Sequence, residues 1–220
     1  MSYQIIDVKN WVRKNQYDWF STFENPTYGF CVKIDVSEVV RFSKETKTSF
    51  FTNFLYIIMR TINETEPMRY RIVDDKVMLY DKINPDFTIK TQDGCFNNAG
   101  FDYTNNYQKF YDDCRKVIEE NNKKVNLDRT YNLPEYDKIY CSCLTSIDIL
   151  SMMHPIKWTD KSSTCVPRIF WDKYIKDNDK YYLNLNITVS HALVDGEDLA
   201  SAFNKIRKYS LKFKEIIKGA

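Results

Sequence analysis

The run Tyr181-Tyr182-Leu183-Asn184-Leu185-Asn186-Ile187-Thr188-Val189, followed by Ser190-His191-Ala192-Leu193-Val194-Asp195-Gly196, decides how the chain is read. Apolar and polar residues alternate, or nearly so, through Val189, which is the pattern of a half-buried strand. From Asp198 to Tyr209 the period changes: Leu199, Ala202, Phe203, Ile206 and Tyr209 recur at helical spacing. His191, one of only two histidines, therefore sits where a strand hands over to a helix. Such a position is rigid and still open to a ligand.

Working outward, Gly29 to Val36 reads as a strand, and Ser37 to Lys44 as a helix capped by Ser37. Ser49 to Glu64 is a strongly apolar helix, with Phe50, Phe54, Ile57, Ile58 and Ile62 at helical spacing; these are core residues. Ile5 to Phe20 is helical in its middle. Arg71 to Tyr80, with Asp74-Asp75 between two apolar stretches, reads as a hairpin. Phe87 to Thr91 is a further strand, Tyr107 to Asn121 an amphipathic helix, Asn122 to Pro134 a polar loop, and Ile139 to Leu144 a strand with Ser142 on the face of Tyr140 and Leu144. Strands and helices mix along one chain, so an α/β or α+β sandwich is expected, not a helical bundle.

The 220 residues suffice for one substantial core, and a single domain over 1–220 is expected. Thirty-two basic and 30 acidic residues are interleaved without a basic patch, which argues against nucleic acid as a partner. No apolar run reaches the length of a membrane span, and Met1 to Arg13 lacks the apolar core of a signal peptide, so a cytoplasmic location is expected. The six cysteines read as reduced thiols. Cys141-Ser142-Cys143 lacks the spacing of a zinc or redox motif, and no metal site is expected. Only five glycines are present, which disfavours a Gly-rich phosphate loop. His154, before Pro155 in an irregular stretch, reads as exposed or locally bonded.

Three segments taken together go further than any one of them. Asp7-Val8-Lys9-Asn10-Trp11-Val12-Arg13, Asn84-Pro85-Asp86-Phe87-Thr88 and Val189-Ser190-His191-Ala192-Leu193-Val194-Asp195-Gly196 closely resemble the chloramphenicol acetyltransferase family in order and spacing over nearly the whole chain. The resemblance implies a two-layer α/β sandwich with a mixed sheet and helices on one face, assembled as a homotrimer with active sites at subunit interfaces. It implies acetyl transfer from acetyl-coenzyme A, as co-substrate, to a hydroxyl of chloramphenicol, with no permanently bound cofactor. On the same basis His191 is the general base and Ser142 the donor to the tetrahedral oxyanion, with a one-residue insertion before it. Asp195 and Arg13 form the ion pair that shapes the histidine segment. Phe20, Tyr28, Phe30, Thr88, Phe96 and Phe170 fall on acceptor-pocket positions, and Lys173 and Tyr174 on coenzyme positions.

The chemistry suits those residue types. An imidazole, with an ordinary pKa of about 6.5, is largely neutral near pH 7 and can take a hydroxyl proton, a contribution of about 10²–10⁴-fold. A fixed hydroxyl donor that bonds the oxyanion better than the flat carbonyl adds roughly 2.7–4 kcal/mol. Asp195, four residues past His191, invites a Ser-His-Asp reading; the resemblance assigns it to arginine pairing instead.

Read without the resemblance, His191 is an ordinary turn histidine, Ser142 a backbone-bonded strand serine and Lys173 a solvated lysine. The chain also departs from the family pattern. Phe170 replaces a threonine, Thr145-Ser146 replaces Pro-Trp, Phe20 lacks an aromatic hydroxyl, and Ser49 stands where lysine is common. These swaps leave open another small hydroxyl acceptor, and beyond that a ligand-binding trimer without catalysis.

Overall fold

A computed structural model describes residues 2–123, 136–157 and 159–219. In chain order the elements are β1 (Tyr3–Ile5), α1 (Lys14–Phe20), β2 (Thr27–Asp35), α2 (Ser37–Thr46), α3 (Phe50–Asn63), β3 (Tyr70–Val73), β4 (Lys76–Tyr80), β5 (Asn84–Lys90), β6 (Phe96–Gly100), α4 (Tyr107–Asn121), β7 (Lys138–Leu144), α5 (Lys161–Cys165), β8 (Arg168–Asp172), β9 (Ile175–Asp177), β10 (Lys180–Ser190), α6 (Gly196–Leu211) and α7 (Phe213–Lys218). The polar loop expected at Asn122 to Pro134 lies, from 124 onward, outside the described residues.

The main sheet has the order β2-β10-β8-β7-β5-β6, with β9 paired to the start of β10. β5, β7 and β8 run parallel, and the outer pairings are antiparallel, so the sheet is mixed as expected. One register row, Phe30–Ile187–Ile169–Cys141–Phe87–Ala99, crosses all six strands. Ile187, Ile169, Cys141, Phe87 and Ala99 in it are all buried. That face carries the helices. α3 is apolar nearly all round and buried from Thr52 to Met59, as a helix enclosed by other elements must be. Fully buried Asn53 is satisfied by Ser43, Thr48 and the Tyr107 hydroxyl, which ties α2, α3 and α4 together.

A second sheet, β1-β4-β3, contains the expected hairpin. Asp74 and Asp75 both take positive φ, 50° and 58°, the backbone of a two-residue turn whose twist matches its strands. Arg71, with no exposure, donates to the carbonyls of Tyr136, Met68, Tyr70 and Lys138, so it bolts this hairpin to the entry of β7.

Two readings change. Ser37 is the first residue inside α2 and not its cap: Asp35 accepts from the Ser37 amide and hydroxyl, while the Ser37 oxygen accepts from the Tyr181 amide. The N-cap is Val36, and the Ser37 hydroxyl ties β10 to the helix. The amino-terminal stretch is divided, with a strand at Tyr3–Ile5, a single 3-10 turn at Val8–Asn10 and a helix only from Lys14. No described helix is long and apolar enough to cross a membrane.

Candidate active site

His191 is the first residue after β10, and its amide donates to the Pro26 carbonyl at 2.8 Å, which anchors the turn to the entry of β2. The turn closes at Asp195, where α6 begins; the Asp198 carboxylate accepts from the Asp195 amide at 3.0 Å. Arg13 reaches in from the residue before α1. Its guanidinium makes a forked bond to both Asp195 oxygens, Nη2 at 3.0 Å, and Nη2 also approaches the His191 carbonyl at 3.4 Å. Three parts of the chain are thus fastened at one point.

The imidazole itself is held by rings. Phe20 stacks on it with centroids 3.9 Å apart and planes 10° from parallel, and Tyr28 covers it at 4.4 Å. The Tyr28 hydroxyl donates to the Val194 carbonyl at 3.2 Å, so the same ring braces the turn. Burial, with Asp195 next, pushes that phenol well above its ordinary range and keeps it a donor. Nδ1 of His191 is buried without a hydrogen-bond partner, 3.6 Å from an Asp195 oxygen. That separation exceeds a hydrogen bond, and both Asp195 oxygens already serve Arg13. A His-Asp dyad is not formed.

A second group lies on the opposite face of the sheet from α3. Its register row runs Cys31–Asn186–Phe170–Ser142. Thr88, one residue beyond the β5–β7 pairing of Phe87 with Cys141, donates to the Ser142 oxygen at 3.3 Å. With its oxygen accepting from Thr88, Ser142 keeps its own proton for another acceptor. Asn98, opposite Thr88, continues the row, and Phe96, 59% exposed, stands on the same face at the sheet edge. Phe170 is 2% exposed and fills the space beside Ser142.

Phe30 does not join this group. Its partner in the register is Ile187, and its ring faces Phe203 of α6 at 6.2 Å, on the opposite side of the sheet. Tyr174 follows β8 and packs between Phe50 and Tyr181, at 4.8 and 5.7 Å; Lys173 beside it is exposed. His154 is neither exposed nor locally bonded. Both its ring nitrogens are buried without partners, and burial together with nearby Arg168 lowers its pKa to about 4. All six cysteines are free, and among the described residues no group of His, Cys, Asp or Glu is placed to hold a metal ion.

Within one chain the two groups stay apart. His191 lies five residues along β10 from Asn186, the member of that strand in the Ser142 row, a span of roughly 17 Å. His191 and Ser142 of a single copy cannot reach the same small group.

Sequence reasoning missed one component of this face. Asp172, at the end of β8, is 2% exposed and accepts from the Asn184 amide at 2.7 Å, the Asn184 side chain at 3.0 Å and the Ile149 amide at 3.1 Å. A carboxylate in the charged stretch from Asp172 to Lys180 reads as solvated, and the only available signal was the apolar run Ile169-Phe170-Trp171 that ends on it.

The family model described as chloramphenicol acetyltransferase matches residues 1–207. Chloramphenicol acetyltransferase 3 of Escherichia coli is 25% identical over 210 residues, 94% of this chain and 97% of that protein. A chloramphenicol acetyltransferase of Staphylococcus aureus is 26% identical over 220 residues, 99% of this chain and 97% of that one. A solved chloramphenicol acetyltransferase structure superposes with a TM-score of 0.85 at 26% identity, covering 94% of this chain and 99% of its own. The dihydrolipoamide acetyltransferase of Azotobacter vinelandii shares the fold, with a TM-score of 0.65 at 12% identity, 92% of this chain and 88% of its own being covered.

Proposed function

This chain belongs to the chloramphenicol acetyltransferase family, and from that membership we propose that it transfers acetyl from acetyl-coenzyme A to a hydroxyl of chloramphenicol, with His191 as general base. Nε2 of His191 takes the acceptor's hydroxyl proton as the oxygen attacks the thioester carbon. Charge builds on the thioester oxygen, and the Ser142 hydroxyl donates to it. When the carbon–sulfur bond breaks, the imidazolium returns the proton to the departing thiolate, leaving ester and free coenzyme A. No covalent acyl-enzyme and no metal ion enter this sequence.

The observation that carries the reading is the presentation of the imidazole. Its ring is clamped between Phe20 and Tyr28, its backbone is fastened to Pro26 and Arg13, and its Nδ1 is enclosed. A turn histidine with no task has no need of that support. Because His191 and Ser142 of one copy are too far apart, the reaction centre is composite: His191 of one subunit faces Ser142, Thr88, Phe96 and Phe170 of another. A homotrimer with three such clefts meets this requirement. Lys173 and Tyr174, directly after β8, are suited to the phosphate and adenine ends of the coenzyme.

Phe170 favours a second acceptor reading within the same chemistry. Its buried ring takes up space beside Ser142, which suits a small hydroxyl compound other than chloramphenicol. The test is thiol release from acetyl-coenzyme A on addition of chloramphenicol and of a panel of smaller alcohols. Release is expected, and His191→Ala is expected to abolish it while leaving the assembly folded. Undiminished release by that variant removes the base; no release with any alcohol removes the enzyme.

A further inference from the structure

Residues 145–157 leave the end of β7 three positions after Ser142 and cross the Ser142 face of the sheet. Two bonds fasten the middle of this strap to the sheet. The Ile149 amide donates to the Asp172 carboxylate at 3.1 Å on β8, and the Cys31 thiol of β2 donates to the Leu150 carbonyl. Phe170 and Asn186 share the Cys31 row, and they are 2% and 6% exposed; α5, bonded to Arg168, packs on the same face further along β8. The two bonds, one to β8 and one to β2, carry the strap over this part of the face. It stops short of Ser142 and Thr88, which stay half-buried, and of exposed Phe96. Its edge is a wall beside the proposed oxyanion donor.

Asp172 is the firmer of the two anchors. It makes three bonds, two of them to Asn184 of β10, and it meets no cation within salt-bridge distance among the described residues. A carboxylate so buried survives only because N–H groups solvate it, and one of those three belongs to the strap. Removing the carboxylate releases the strap from β8. Removing the Ile149 amide does the same and leaves the Asp172–Asn184 bonds intact.

We infer that Asp172 is a positioning residue for acceptor specificity: through the Ile149 amide it holds the 145–157 strap as the wall that limits the size of the alcohol admitted beside Ser142. This rests on the acyl transfer proposed above. With the wall in place, the acceptor is confined to the part of the face near Ser142, Thr88 and Phe96. Without it, bulkier alcohols gain room.

The experiment compares Asp172→Ala, Asp172→Asn and Ile149→Pro with the full wild-type assembly by amide hydrogen exchange at Ile149 and by thiol-release kinetics with alcohols of graded size. The Ile149 amide is expected to be protected in wild type and to lose that protection in Asp172→Ala. The acceptor KM for the best wild-type alcohol is expected to rise on the order of tenfold in Asp172→Ala and Ile149→Pro, with preference moving to larger alcohols and the KM for acetyl-coenzyme A within twofold of wild type. Asp172→Asn, which keeps an acceptor oxygen, is expected to recover most of the wild-type preference. A lowered unfolding temperature with an unchanged acceptor profile in Ile149→Pro overturns the inference, as does equal exchange at Ile149 with and without the carboxylate. Should wild type release no thiol with any alcohol, the acyl-transfer reading has failed, and the exchange result still decides whether the clamp exists.

Discussion

Replacing Arg13 by methionine keeps the length of the side chain and removes the fork that joins α1, the His191 turn and the start of α6. The Arg13 side chain is 12% exposed and that of Asp195 39%, so the pair stands between a surface bridge, worth about 0–1 kcal/mol, and a buried one, whose breaking costs about 3–5 kcal/mol. A loss of about 2 kcal/mol follows. It falls first on the turn, because Asp195 is left without its partner directly beside the imidazole. If the turn must close to present Nε2, 2 kcal/mol corresponds to a kcat lower by roughly ten- to thirtyfold, with the acceptor KM little changed. For a chain of this size the same loss lowers the unfolding temperature by roughly 4–8 °C. Thiol-release kinetics and thermal unfolding of Arg13→Met, measured side by side, test both figures. Arg13→Lys is the sharper control, since an ammonium cannot reproduce two parallel bonds to Asp195 and should recover little of the rate. The reasoning is refuted by a folded Arg13→Met with wild-type kcat, or by a lysine variant as active as the arginine.

Ser142→Ala removes the proposed oxyanion donor and leaves Thr88 without an acceptor; kcat is expected to fall about 10²–10³-fold with the KM for acetyl-coenzyme A within a few-fold of wild type, read by the same assay. For His154, folding lowers the pKa from 6.5 to about 4, so the unfolded chain binds the proton more readily. Its contribution to stability is whole above pH 6.5 and is lost as the pH falls toward 4. Denaturant midpoints of wild type should therefore decline over that range, and His154→Gln should decline less; parallel curves would show that the ring does not titrate on unfolding.

The legible parts of the fold were those with long, regular periods. α3, α4, α6 and β10 each carry enough consecutive apolar positions to declare face and element together. The hairpin was legible because Asp74-Asp75 tolerates the positive φ it needs. β8 escaped notice for the opposite reason: Arg168, Phe170 and Asp172 are buried on the face that should alternate outward, so no period of two is visible. The strap that reaches Asp172 has no repeat at all, and its bond there runs from a loop amide to a carboxylate 23 positions away. Local spacing carries no trace of such a contact.

The site was legible in proportion to how local it is. His191, Asp195 and the helix start lie within one turn, and Arg13 came with the segment resemblance; the structure brings these four together. Ser142, Thr88 and Phe170 come from three strands, and register alone makes them neighbours. Phe30 shows how register sorts such residues: it packs against Tyr28 on the helix-facing side, and a one-residue step along β2 leads to the side of Cys31 and Asn186. What joins the His191 group to the Ser142 group is a gap of roughly 17 Å along β10 that no rotamer can close. The proposed chemistry therefore requires a second copy, and a dissociated subunit that retained full thiol release would refute the composite centre while leaving each half of it as described.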